Sequence, residues 1–317
     1  MQNTEDIRAK FDEYFGHTIY PLLVEKENVR QKYLSRLKKL IAMASVILPL
    51  VIALAYYIVK KYDEAGEWAV NVTYLIIAIS AFILRGPFAS YKKQSKTDIM
   101  ECFIKFFDNF SYEPEDGLSY FDIKESYIFP KFDVLQTDDC FVGTYKDVGI
   151  RICEEKLIKK SVDSNGRTRN KVVFLGMVLV LEMNKNFNYR TFVVKDKGIL
   201  NMFHGKKGFS KVALEDVIFE KEFEAYSQNQ IEARYLLTTA FMERMLKLKE
   251  LYKGKRIQFG FEDSAVLIAI DTKENMFEPC SLLKSNLKKD QIYKVYEQFM
   301  TIFSVVDTLK LNQKIGM

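Results

Sequence analysis

The chain has 317 residues, with 47 basic against 42 acidic side chains and a formal net charge of +5. The signs are interspersed, so this balance does not call for a nucleic-acid partner, and the length leaves room for one large or two small soluble domains beside a membrane segment. Cys102, Cys140, Cys153 and Cys280 lack metal-ligand spacing and read as free thiols, and His17 and His204 have no partner at ligand spacing, so neither a metal site nor a cofactor is expected.

From Thr4 to Lys39 the residues Ile7, Phe11, Phe15, Leu22, Val29, Tyr33, Leu37 and Leu40 fall near one stripe. With Thr4 as a cap they predict a short helix, a break near Tyr20-Pro21, and a longer helix running onward. Packing on the rest of the chain explains the stripe, as does an irregular coiled-coil seam with a second copy.

Leu40 to Val59 reads LIAMASVILPLVIALAYYIV, and Trp68 to Leu84 reads WAVNVTYLIIAISAFIL; neither holds a charged side chain. A bilayer core about 30 Å thick takes about 20 apolar residues as a helix. The first run meets that length and the second lies at its short end. The intervening KKYDEAGE suits the turn of a helical hairpin. Lys32, Arg36, Lys38 and Lys39 precede the first run, and Arg85, Lys92, Lys93 and Lys96 follow the second. That excess places both termini on the cytoplasmic side, with Tyr56, Tyr57 and Trp68 at the far interface. A signal peptide is rejected because the run starts late and a second span trails it. Pro49 reads as a tolerated kink rather than a hinge, because no charged group in the spans marks an ion path.

Arg85-Gly86-Pro87 is expected to stop the second span, and Thr97 to begin a new helix with Ile99, Phe103, Phe106, Phe107 and Phe110 on its buried face. Tyr112 to Gly117 ends it. Strand character then takes over at Cys140 to Tyr145, Gly149 to Ile158, Lys171 to Glu182 and Tyr189 to Val194. Asp163-Ser164-Asn165-Gly166 is a hairpin turn. Its arms carry Lys156, Lys159, Lys160, Arg167, Arg169 and Lys171. They read as a solvated hairpin whose cations block edge pairing, or as a finger that touches an anionic surface through Lys159, Lys160, Arg167 and Arg169. Asn184 to Asn188 is a further turn region, and Val212 to Tyr226 starts strand-like and becomes acidic.

Ser227 and Gln230 match a capping box opening a helix with the stripe Leu237, Phe241, Met245, Leu248 and Tyr252, closed by Gly254. Arg256 to Phe261 and Ala265 to Ile270 then form a second hairpin across Glu262-Asp263-Ser264, and Lys289 to Leu309 is a final amphipathic helix. Grouped strands with few helices predict an α+β cytosolic domain, a mixed or antiparallel sheet with packed helices, attached to a two-helix transmembrane hairpin. The expected divisions are 1–39, 40–84 and 85–317.

The nucleotide-binding, metalloprotease and serine-hydrolase motifs are absent, and Glu154-Glu155 and Asp138-Asp139 are sequence neighbours that point apart on a strand. An enzyme is therefore not the expected reading, and no catalytic residue is assigned. The distinctive stretch is Phe223-Glu224-Ala225-Tyr226-Ser227-Gln228-Asn229-Gln230-Ile231-Glu232-Ala233-Arg234-Tyr235-Leu236-Leu237-Thr238. With Pro21-Leu22-Leu23 before Glu25, Phe129-Pro130-Lys131-Phe132-Asp133, Phe174-x-Gly176-Met177 and Phe277-Glu278-Pro279, it resembles a family of bacterial inner-membrane proteins, domain of unknown function 3137. Ala225, Asn229 and Thr239 depart from the family's Val, Asp and Pro. The resemblance implies the architecture and a bacterial inner membrane, two-pass, with both termini cytoplasmic; it implies no activity.

Gln230, Glu232 and Arg234 form the candidate network at the start of that helix. They read as local capping and ion pairing, with Arg234 tied to Glu224 or Glu232 above buried Ile231, Tyr235 and Leu237, or as a helix-terminus ligand site. The expected role is a membrane-anchored interaction or scaffold module. The alternatives are a subunit of an oligomeric two-span channel or transporter, and a membrane-bound enzyme acting on lipid or envelope material. Expected partners are the lipid bilayer and a protein partner or second copy of the chain.

Overall fold

The computed structural model describes residues 2–61, 66–164, 166–195 and 208–311. Asn165 of the predicted turn, His204 and the side chain of Thr4 lie outside the description. The chain forms two compact units, Met1–Phe106 with Glu278–Tyr293, and Phe107–Phe277 with Lys294–Met317.

The first unit is helical. Helix α1 spans Gln2–Tyr14, a π-helical turn spans Phe15–Ile19, α2 spans Tyr20–Lys61 and α3 spans Gly66–Ile104. The predicted break thus takes the form of a widened turn just before Pro21, whose missing N–H interrupts the ladder. The predicted stop at Arg85-Gly86-Pro87 does not occur, and α3 continues through it. Pro87 removes one ladder bond, and the burial of Tyr91, Ile99, Met100 and Phe103 holds the helix together beyond it. Phe11 and Phe15 pack on the ring of Tyr293, and Phe11 also packs on Phe103. By contrast, the apolar windows of α2 and α3 are 0% and 6% buried, long and apolar enough to cross a membrane.

The second unit is a seven-stranded antiparallel sheet with packed helices, as the strand grouping predicts. Its strands are β1 (Phe110–Tyr112), β2 (Val134–Tyr145), β3 (Val148–Val162), β4 (Thr168–Lys195), β5 (Ser210–Lys211), β6 (Phe223–Ser227) and β7 (Arg256–Asp271). The spatial order is β1-β2-β3-β4-β6-β5, and β7 pairs with β4. The helices are α4 (Tyr120–Glu125), α5 (Val217–Glu222), α6 (Gln230–Leu236), α7 (Thr239–Leu251) and α8 (Asp290–Leu309), the last beginning in the first unit's closing residues.

Two expected turns are absorbed into strands. Asn184 to Asn188 lies within β4, and Glu262-Asp263-Ser264 lies within β7. The arms predicted to pair with each other both pair with β4 instead, Ile268 opposite Leu179 and Phe261 opposite Thr191. The register shifts between Glu182 and Phe187, opposite Asp263 at φ 52°, so the two turn signals face each other as irregularities of one ladder.

One sheet face carries Leu157, Phe174, Val178, Phe192, Val194, Tyr226 and Ala269, covered by Ile123 of α4 and by Ile128, Phe129 and Phe132. Elsewhere α8 supplies rings, Phe299 against Phe107 and Phe141, and Phe303 stacked on Tyr145. Cys140 and Cys153 stand directly opposite across β2 and β3, Cα atoms 4.2 Å apart, and are joined as a disulfide. That corrects the expectation of four free thiols and leaves Cys102 and Cys280 reduced. Sequence spacing alone carries no sign of this register.

The helix expected from Ser227 is two helices. Asn229 caps α6 by accepting from the N–H groups of Ile231 and Glu232, and Thr238 caps α7 by accepting from Phe241. Ser227 closes β6, where its hydroxyl lies 2.8 Å from that of Thr191. Gly254, at φ 71°, takes the left-handed position expected past the end of α7.

Candidate functional site

On the sheet face covered by α4, the cover ends before the strands do. Val180 of β4 and Ala265 and Leu267 of β7 stay half-buried there, and with Leu118, Phe121 and Phe192 they line a groove of about 400 Å³. Phe121 on the outer side of α4 is 70% exposed at its rim. Polar groups converge at one end. Arg190 of β4 pairs with Glu262 of β7 and with Glu125 of α4, the latter at 3.2 Å. The hydroxyl of Tyr127 donates to the same Glu125 oxygen at 2.9 Å. That bond to a carboxylate holds the phenol above its usual pKa. Tyr127 sits at φ 61°, an uncommon conformation for a bulky side chain and one that recurs at ligand clamps.

The register explains the convergence. Thr191 pairs with Phe261, so the neighbouring Arg190 and Glu262 meet where the β4–β7 ladder turns irregular. Ser119 caps α4 by accepting from Asp122, which fixes the helix carrying Glu125. Lining acids Asp122, Glu125, Glu262 and Asp263 outnumber Arg190, so the groove is apolar along its floor and negative at its end. Its lining contains no histidine or cysteine, and Arg190 is engaged by both glutamates. The arrangement suits binding of a cationic group carrying an apolar part.

Behind this wall lies Glu155 of β3, fully buried. It accepts from the Thr137 hydroxyl at 2.9 Å and from the Leu118 N–H at 3.3 Å. Burial pushes its carboxyl up to about 7, opposed by those two hydrogen bonds. The first unit holds a separate buried pair. Arg30 grips Glu27 with two hydrogen bonds of 2.8 and 2.6 Å, donates to the Leu282 carbonyl at 3.0 Å, and Glu27 accepts from the Asn286 N–H at 2.9 Å. The Arg30 hydrogen bonds hold Glu27 down at about 2.

The residues singled out in the sequence are not brought together. Gln230 donates to the Ser210 hydroxyl and the Lys211 carbonyl, which ties α6 to β5. Glu232 accepts from the N–H groups of Asn188 and Tyr189, which ties α6 to the irregular part of β4. Arg234 is exposed and makes no ion pair among the described residues; Glu224 pairs with Lys211 instead. Ile231 and Tyr235, expected to be buried, are 83% and 53% exposed, while Leu237 is buried. The two-helix split turns their side of α6 outward. Lys159, Lys160, Arg167 and Arg169 all lie exposed on the β3–β4 hairpin. Arg190, Glu125 and Glu262 went unnoticed in the sequence because each is a single charge with no local pattern; the signals nearest them were the turn residues around Glu262.

No curated protein matches the chain. Among solved structures, that of the mycobacterial trehalose monomycolate transport factor A, TtfA, is similar at 11% identity with a TM-score of 0.33, covering 65% of this chain and 92% of that one. A likeness of that size carries no functional argument. Over residues 172–311, from within β4 to just past α8, the chain matches the model of the family Protein of unknown function (DUF3137), consistent with the resemblance carried by the Phe223 to Thr238 stretch.

Proposed function

We propose that this is a two-span, membrane-anchored interaction module, with both termini on the cytoplasmic side of a bacterial inner membrane and an α+β domain that receives a partner in the α4 groove. The observation carrying the anchor is the exposure of the apolar windows of α2 and α3. Apolar surface of that length left in water is strongly unfavourable, at roughly 25 cal/mol per Å², and a bilayer removes it. The basic flanks support the orientation. The groove's apolar floor and acidic end favour a partner segment with apolar side chains and a lysine or arginine.

Reporter fusions at Met1 and Met317 test the topology; a periplasmic signal from either end sinks it. For the groove, a photo-crosslinking residue in place of Phe121 is expected to give a discrete adduct in cells. That adduct is expected to disappear when Glu125 and Glu262 are both changed to Lys. An adduct indifferent to that charge change counts against the acidic-end reading.

A further inference from the structure

The β3–β4 hairpin extends beyond the sheet that supports it. Strand β2 leaves β3 at the pair Val134 and Ile158, and β7 leaves β4 at Ile270 and Met177. Past those points Lys159 pairs with Lys171, Lys160 with Asn170, Ser161 with Arg169 and Val162 with Thr168, in a two-stranded ribbon. Two-stranded ribbons are marginal in water, and like charges directly opposite weaken them further. This ribbon nevertheless sets Lys159 against Lys171, with Arg169 beside them on the same face. The single acid of the segment, Asp163, is already engaged: it accepts from the Arg167 N–H at 2.9 Å and pairs with Arg169 at 3.3 Å. Lys159, Lys160, Arg167 and Lys171 are exposed and make no ion pair among the described residues. The other face exposes Val162 and Val172, at 70% and 47%.

Blocking edge-to-edge pairing calls for charge on the strand edge and does not call for like charges set directly opposite each other. A ribbon that concentrates one sign, pairs like with like and exposes apolar side chains on its far face is built for a negatively charged surface. We propose that this ribbon docks on anionic lipid headgroups, Lys159, Lys171 and Arg169 on one face meeting phosphates. The proposal rests on the membrane-anchored reading. Tethering to a bilayer supplies lipid at high effective concentration, so a few basic side chains, each gaining about fivefold at an anionic surface, suffice without a shaped pocket.

The test uses the full chain in nanodiscs of phosphatidylcholine alone or with phosphatidylglycerol. Lysines are acetylated briefly and read by mass spectrometry. Acetylation of Lys159 and Lys171 is expected to slow about fivefold in the anionic discs and to recover at about 1 M salt, where the Debye length falls to about 3 Å. Lys253, exposed in the same unit, serves as the internal reference and should not change. Equal rates in both discs overturn the proposal, as does slowing that extends equally to Lys253. Co-elution of the chain with the discs reports the anchor separately, so a chain that enters discs without lysine protection removes the docking and keeps the anchor.

Discussion

Burying one carboxylate sets a pH dependence. Glu155 is fully buried, and its folded pKa is raised to about 7 from an ordinary value near 4.5. A raised carboxylate means the folded state binds the proton more tightly. The associated stability is therefore fully present below about pH 4.5, is lost as pH rises from there to 7, and stays lost above it. The shift corresponds to a change on the order of 3 kcal/mol. Glu155→Gln keeps an acceptor for the Leu118 N–H and needs no ionisation. Its melting temperature should change less between pH 5 and pH 8 than that of the wild type; parallel curves would show that Glu155 is not the group responsible. Glu27, held at about 2, has the opposite sign and loses its contribution only as pH falls below about 4.5. Arg234 makes the complementary case. It is exposed and unpaired among the described residues, so Arg234→Ala should shift stability by less than about 0.5 kcal/mol, seen as an almost unmoved melt. A large loss would reveal a partner. The sequence pointed to Arg234 because of its neighbours, yet whether a charge is paired depends on which residues a fold brings across, and that is not written locally.

At the level of elements, the legible parts were those with sustained periodicity. The apolar stripe of α8, from Ile292 to Val306, is buried as its spacing requires. Turn chemistry was legible at Gly166 and Gly254, both at positive φ, and misled at Asn184 to Asn188 and Glu262 to Ser264. There two turn signals lie opposite each other, and the paired β4 and β7 absorb both. A propensity for positive φ specifies a backbone conformation, and a bulge satisfies it as well as a reversal does. The segment Glu278 to Asn286 was not read as an element at all. Its anchor is Arg30, whose removal leaves Glu27 buried without its counter-charge. Arg30→Ala should therefore cost about 3–5 kcal/mol, and hydrogen exchange should speed up at Asn286, whose N–H donates to Glu27, before it does in β4. Exchange unchanged at that amide would refute the anchoring role. The β2–β3 pair offers a chemical check. Alkylation of the denatured, unreduced chain should modify only Cys102 and Cys280, with Cys140 and Cys153 reacting after reduction. Four modified cysteines without reductant would restore the free-thiol reading.

For the whole molecule, the decisive contrast is between apolar surface buried by protein and apolar surface left exposed. In the second unit, stripes such as Phe299, Ile302 and Val306 are closed over by neighbours. In α2 and α3 the equally apolar Leu50, Leu54, Tyr74 and Phe82 stay exposed. Periodicity made the first set visible in the sequence, and unbroken apolar length without charge made the second visible. Leu50→Arg tests the difference because the two environments give opposite signs. Leu50 lies near the middle of the apolar run Leu40 to Val59 and is 65% exposed. In water an exposed Leu changed to Arg is close to neutral for stability and improves solubility. At a bilayer centre the same change costs about 2.5–3.5 kcal/mol of insertion free energy by translocon scales. The variant should therefore be depleted from the membrane fraction and degraded. Wild-type membrane recovery, or a soluble and well-folded Leu50→Arg chain, would mean that something other than lipid covers α2.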